Sequence, residues 1–200
     1  MDLTPVVLQG RHVRLEPLAL DHQEGLCAAG LDPGIWRWIP YQVKTAEEMR
    51  AYIEAGLRDP ARGTAMPFAT LDAATGSVIG STRFMNIDVP NRRVEIGSTW
   101  LSPDRQRTAA NTEAKYLMLT HAFDTLGCIR VELKTDALNE KSRAAILRIG
   151  AKQEGIFRSH VICHDGRIRD SVYFSITREE WPQVRTGLEE KLPGVRADPS

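Results

Sequence analysis

The stretch from Trp100 to Ala114, WLSPDRQRTAANTEA, holds the densest set of groups suited to an anion: Arg105, Arg107, and the polar side chains of Gln106, Thr108, Asn111 and Thr112. A strand pattern runs into it and a helix pattern runs out. The loop therefore delivers its polar residues to a helix N-terminus, where unpaired N–H groups and the positive end of the helix dipole meet. A pyrophosphate fits such a place, and arginines suit its oxygens. An ordinary capped helix start with solvated arginines has the same composition, so the loop alone leaves both readings open. Residues 32–41, DPGIWRWIPY, gather Trp36, Trp38 and Tyr41 where no periodicity predicts an element, and loops of this kind form ligand walls. No His has Asp or Ser at a spacing that completes a triad. Cys27, Cys128 and Cys163 form no Cys-x-x-Cys pair and have no His at zinc spacing, which predicts reduced thiols and no metal.

The elements that must carry these groups follow from periodicity. Residues 11–18 alternate apolar and polar and predict an opening strand, and Asp21 can cap a short helix toward Gly30. Thr45 and Glu48 have capping-box spacing before a helix with Met49, Ile53 and Leu57 on one face, stopped by Asp59-Pro60. Strands follow over 66–72, 77–88 and 92–101, an antiparallel meander. A helix over 111–126, a strand over 129–136 and a helix over 139–149 come next, the last stopped by Gly150. Strands over 156–163 and 168–176 flank His164-Asp165-Gly166-Arg167, whose Asp-Gly pair favours a type I′ turn. Thr177 and Glu180 repeat the capping-box spacing before a final helix to Leu192, which Pro182 can delay. The expected fold is α+β: a mixed, mostly antiparallel sheet with helices on both faces.

With 200 residues, 42% apolar and 26% charged, the chain can enclose one sizeable core and predicts a single domain over 1–200, with a loose tail over 193–200. Twenty-six basic residues balance 26 acidic ones, which argues against a nucleic-acid partner. No apolar run approaches a membrane span and residues 1–10 lack the pattern of a signal peptide, so no membrane partner and a cytoplasmic address are the expectation.

Glu95-Ile96-Gly97, Trp100-Leu101, Thr112-Glu113-Ala114, Asn139-Glu140-Lys141-Ser142 and Gly150-Ala151, in this order on these elements, resemble the GCN5-related N-acetyltransferase (GNAT) superfamily, and within it the RimJ/RimL-type branch of ribosomal-protein N-acetyltransferases. The resemblance covers roughly residues 10 to 181. It implies transfer of acetyl from acetyl-CoA, without metal, to a primary amine such as a protein N-terminus or a small molecule. It also implies a sheet splayed between the fourth and fifth predicted strands, 92–101 and 129–136, with the pantetheine arm in the opening. Dimers are frequent in the branch, so a homodimer stands beside a monomer.

The resemblance also implies roles. Trp100, Leu101, Gln106, Arg107, Thr108, Ala109, Asn111 and Thr112 would bind the cofactor, although the family's pyrophosphate signature carries Gly where Ala109 stands and Gly or Ala where Asn111 stands. Asn139 would hold the CoA arm, and Ser142, or a water near it, would protonate the departing thiolate, in place of a Tyr that the family often carries where Ile146 stands here. Asn139 is equally a good helix cap. Glu95 would take the proton of the amine, directly or through a water, against the alternative of an ion pair with Arg92, Arg93 or Lys134. From their clustering in the loop rather than from the resemblance, Trp36, Trp38 and Tyr41 are expected to shape the acceptor side. Two rivals from other classes are a non-catalytic acyl-CoA-binding module of the same fold and an interaction domain using the aromatic loop and Trp181.

Overall fold

The computed structural model describes residues 1–58, 63–192 and 194. Eight strands form one sheet in the order β1-β2-β3-β4-β5-β6-β8-β7. They are β1 (Leu8–Gln9), β2 (Val13–Pro17), β3 (Met66–Asp72), β4 (Val78–Asp88), β5 (Arg93–Leu101), β6 (Arg130–Asp136), β7 (Lys152–Ile162) and β8 (Ile168–Thr177). Every neighbouring pair is antiparallel except β5 and β6, which run parallel. The two-residue β1, too short for alternation to mark, is an addition to the expected strands.

Five α-helices cover the sheet: α1 (Gln23–Gly30), α2 (Ala46–Arg58), α3 (Ala109–Thr120), α4 (Glu140–Arg148) and α5 (Trp181–Lys191). Alternation along the strands divides the core in two. Val94 and Ile96 of β5, Val131 and Leu133 of β6, and Phe174 of β8 pack under α3, α4 and α5. Ala69, Leu71 and Trp100 pack on the opposite face against Leu26, Met49 and Ile53 of α1 and α2. Helices thus lie on both faces, but the face of β5, β6 and β8 that carries Glu95, Lys134 and Tyr173 presents polar side chains.

The helix starts follow their caps. Thr45 Oγ1 accepts from Glu48 N–H at 3.2 Å, and the Glu48 carboxylate reaches back to Lys44 N–H at 2.6 Å. The expected stop at Asp59-Pro60 lies outside the described residues, as does most of the tail. The third helix changes pitch after Thr120: Leu126 N–H bonds to His121 C=O, five residues back, so the expected single helix to 126 ends in a wider turn. Glu180 accepts from Thr177 N–H at 2.9 Å, and α5 starts at Trp181 with Pro182 in its first turn, where a missing N–H costs nothing.

Two expectations are corrected. The β7–β8 turn is not type I′, because Gly166 alone in it has positive φ, +82°. Gly166 N–H bonds to Cys163 C=O and Cys163 N–H to Arg167 C=O, giving a longer loop with one left-handed residue. Trp181 offers no partner surface: it is 4% exposed, stacks on Phe123 and donates to Asp124 at 3.0 Å.

Glu113, in the first turns of α3, has a role larger than the helix dipole. Its fully buried carboxylate accepts the N–H groups of Arg11, His12 and Val13 at 2.9, 2.6 and 2.7 Å, which fastens α3 to the start of β2. A Cβ on Gly10 would lie 2.5 Å from the same carboxylate, so the close approach requires glycine there.

Candidate active site

The two parallel strands stay together for only three residues. Arg93, Val94 and Glu95 pair with Arg130, Val131 and Glu132, and the strands then part. The outer pairings continue, β5 with β4 as far as Leu101↔Gly80 and β6 with β8 as far as Asp136↔Ser171. The inner edges of residues 96–101 and 133–136 therefore face each other across an opening without a shared ladder. This is the splayed sheet expected from the sequence. Main-chain donors and acceptors so exposed can pair with an amide-bearing arm.

A bulge shapes the β5 edge. Gly97 lies opposite Arg83 and Trp100 opposite Ser81, so Ser98 and Thr99 together oppose Thr82. Ser98 takes a left-handed conformation, φ +50°, which redirects the strand at the opening.

Both β5 and β6 lead from the open end of the split into helix N-termini. After Leu101 the chain turns through Pro103–Arg105, and Thr108 caps α3 by accepting from Ala110 N–H at 3.2 Å. Gln106 holds the loop by donating to Leu101 C=O at 3.1 Å. Arg105 is committed to Asp72 at 2.5 Å, whereas Arg107 is exposed and left-handed, φ +63°. Ala109 and Asn111 lie inside the helix, so the unusual backbone falls on Arg107 and neither of them needs a glycine's freedom. Thr112 is buried, which removes its hydroxyl from the surface of the helix end. At the other strand, Asn139 caps α4 by accepting from Ser142 N–H at 3.1 Å, and Ser142 is half-buried in the first turn.

Glu95 sits where the strands begin to part, 2% exposed. One carboxylate oxygen accepts from Asn86 at 2.8 Å and Lys134 at 3.2 Å, and the other is buried without a partner. The ion-pair alternative is thus realised with Lys134, and an open acceptor position coexists with it. Beside Glu95 lies a cleft of about 510 Å³, lined among others by Asn86, Arg93, Arg130, Glu132 and Tyr173. Its rim charges are paired: Arg93 with Asp88 and Glu132, Arg130 with Glu132 and Glu154. The Ser175 hydroxyl and Arg130 hold the Glu154 carboxyl below the usual carboxylate range.

The aromatic loop divides. Trp36 is fully buried, donates to Gly30 C=O at 2.8 Å and packs against Tyr52 and Trp100, so its assignment to the acceptor wall is corrected to core. Trp38 is half-buried between Arg37 and Arg167, and its carbonyl accepts from Arg169. Tyr41, exposed at the loop surface, reaches the bulge and bonds the Ser98 hydroxyl. Trp100 and Leu101 are also core, 4% and 7% exposed, so any contact they make in the split comes from their main chain.

Sequence reasoning missed two groups at this site, Lys115 and Thr99, which meet beneath the bulge at 2.7 Å. The signal was a lysine between Ala114 and the apolar run Tyr116-Leu117-Met118-Leu119 of α3.

Comparison with known proteins agrees with this geometry. The solved structure of Mycobacterium smegmatis RimJ in complex with CoA-disulfide matches in fold, with TM-score 0.84 and 20% identity over 97% of this chain and 98% of that one. YdaF of Bacillus subtilis, provisionally named a ribosomal N-acetyltransferase, is 36% identical over 106 residues, 53% of this chain and 57% of its own length. A GCN5-related N-acetyltransferase structure from Brucella melitensis is 33% identical, with TM-score 0.87, over 95% of this chain and 86% of that one. The acetyltransferase (GNAT) domain model matches residues 12–152, and with the splayed strands, the bulge and the capped helix start at the open end, the chain belongs to that family.

Proposed function

We propose that this protein transfers an acetyl group from acetyl-CoA to a primary amine by direct attack, with no covalent enzyme intermediate. The observation that carries the proposal is the parting of β5 and β6 after Glu95 and Glu132, with the N-termini of α3 and α4 at the open end. Unladdered strand edges fit the amides of a pantetheine arm, and the α3 start with the exposed Arg107 fits a diphosphate. Thr108, Gln106, Ala109 and Asn111 shape that start, and Asn139 stands at the corresponding point of α4. The main chain of Trp100 and Leu101 borders the arm.

Acetyl-CoA supplies the acyl group as an activated thioester. The residues of this chain do the rest. Main-chain N–H groups of β5 near the bulge polarise the carbonyl oxygen, a contribution that preorganised donors make without reorganisation. The unpartnered oxygen of Glu95 accepts the proton of the incoming amine, directly or through a water, while Lys134 and Asn86 hold the other oxygen. Ser142, in the first turn of α4, serves the departing thiolate. The amine reaches Glu95 along the cleft lined by Tyr173, and Trp38 and Tyr41 shape the acceptor side nearer the bulge. A protein N-terminus is the favoured acceptor, supported by the name of the YdaF relative.

A second reading, an acyl-CoA-binding module without turnover, is favoured by one observation: Glu95 already has an ammonium partner. A thiol-release assay with acetyl-CoA over a panel of peptides and small amines, with product mass, separates the two. Acceptor-dependent release with a +acetyl product supports the transferase. CoA binding with no release under any acceptor supports the module.

A further inference from the structure

Lys115 is 6% exposed in the middle of α3, a helix whose residues from Thr112 to Tyr116 are all buried. Its Nζ donates to Thr99 Oγ1 at 2.7 Å, and Thr99 Oγ1 also meets Thr82 Oγ1 at 2.7 Å. Among the described residues no charged neighbour offsets the burial, and desolvation pushes the amine down to about 7. An amine so placed destabilises a fold relative to an apolar residue of similar length, so packing gives no reason for it.

Its position does give one. Thr99 is one of the two residues that β5 sets against Thr82 in the bulge, and its neighbour Ser98 is held left-handed. A non-glycine residue keeps such a backbone only where its surroundings over-determine it. From the α1–α2 face, Tyr41 bonds the Ser98 hydroxyl. From the α3 face, Lys115 bonds the Thr99 hydroxyl. The bulge is gripped from both sides of the sheet.

We propose that Lys115 is a positioning residue for acyl transfer: by holding Thr99 from beneath, it fixes the bulge of β5 and so the direction of the main-chain N–H groups that this strand turns into the split. The inference rests on the acetyltransferase reading above, and it predicts a loss in turnover rather than in cofactor affinity.

The test compares Lys115→Met, Thr99→Val and the conservative Thr99→Ser by kcat, KM, CoA affinity, and amide hydrogen exchange over residues 96–101. Lys115→Met and Thr99→Val should lower kcat at least about tenfold with CoA affinity held within about threefold, the pattern of lost transition-state donors. Thr99→Ser, which keeps the hydroxyl, should stay close to wild type. Exchange over 96–101 should quicken in the first two variants and not in the third. A kcat in Lys115→Met within about threefold of wild type overturns the inference, as does an equal loss in Thr99→Ser and Thr99→Val. If the wild-type chain releases no thiol, the transferase reading fails by itself, and unchanged exchange in Lys115→Met then separately overturns the grip on the bulge.

Discussion

Tyr41 and Ser98, 57 residues apart in the chain, join their hydroxyls in one hydrogen bond between the aromatic loop and the bulge of β5. Under the proposed function the bond would couple the acceptor side of the site to the strand edge that polarises the acyl carbonyl. Tyr41→Phe keeps the ring packed against Trp36 and Tyr52 and removes only this tie. The expected result is a fall in kcat of roughly three- to tenfold, since a positioned contact is worth about 1 kcal/mol, with CoA affinity unchanged. Steady-state kinetics beside calorimetric CoA binding checks it.

Trp36→Ala and Trp38→Ala should separate cleanly. Removal of fully buried Trp36 opens a cavity and should cost about 3–5 kcal/mol in urea unfolding. Half-buried Trp38 should cost less than about 1 kcal/mol and raise the acceptor KM instead. If Trp38→Ala changes stability and leaves KM alone, the loop is packing throughout.

Arg107→Glu should weaken CoA binding at least about tenfold, because it places negative charge at the helix N-terminus proposed to hold the diphosphate, with the melting temperature nearly unchanged because Arg107 is exposed. Arg105→Glu is the control for this reading. It breaks the pair with Asp72 and should lower the melting temperature as well.

Glu95→Gln should reduce kcat/KM by about 10²–10⁴, most steeply at low pH where the amine is mostly protonated. CoA affinity should survive. A loss under about threefold would leave Glu95 as the partner of Lys134 and Asn86 and hand proton removal to water.

Lys115→Met should stabilise the protein in a pH-dependent way. Burial lowers the folded amine from an ordinary value near 10.5 to about 7, so in the interval between these values the unfolded chain binds a proton that the folded chain does not. The penalty is absent above about pH 10.5, grows as pH falls, and levels below about 7 at on the order of 5 kcal/mol. Unfolding free energies of variant and wild type should therefore converge in alkali and diverge toward neutrality. Gain of stability with loss of turnover in one variant would mark Lys115 as retained for activity.

The succession of strands along the chain and both helix N-termini were legible because alternation and caps act locally, the parting of the sheet followed only from the family resemblance, and the insertion of β8 between β6 and β7 left no local mark. Glu113 shows the limit: three residues into the helix pattern, it reads as a dipole partner, whereas its ligands are N–H groups about a hundred residues earlier. Trp36 misled for a related reason. A ring in a loop without periodicity resembles a ligand wall, and only the tertiary meeting with Tyr52 and Trp100 makes it core. Lys115 stood in plain view, but its chemistry depends on Thr99 of a strand whose bulge leaves no mark in composition.

The parallel pairing of β5 with β6 is three residues long, whereas β6 with β8 is paired over seven. Taken as a mechanical object, the sheet is two plates joined along a short weld, with the proposed binding site as a notch running into it. A load that draws β5 and β6 sideways out of register concentrates at the notch tip, beside Glu95 and Glu132, and meets few hydrogen bonds there. Apart from the two-residue edge pairing of β1 with β2, the weld is the shortest seam of the sheet, so under such a load it is the first inner seam to tear.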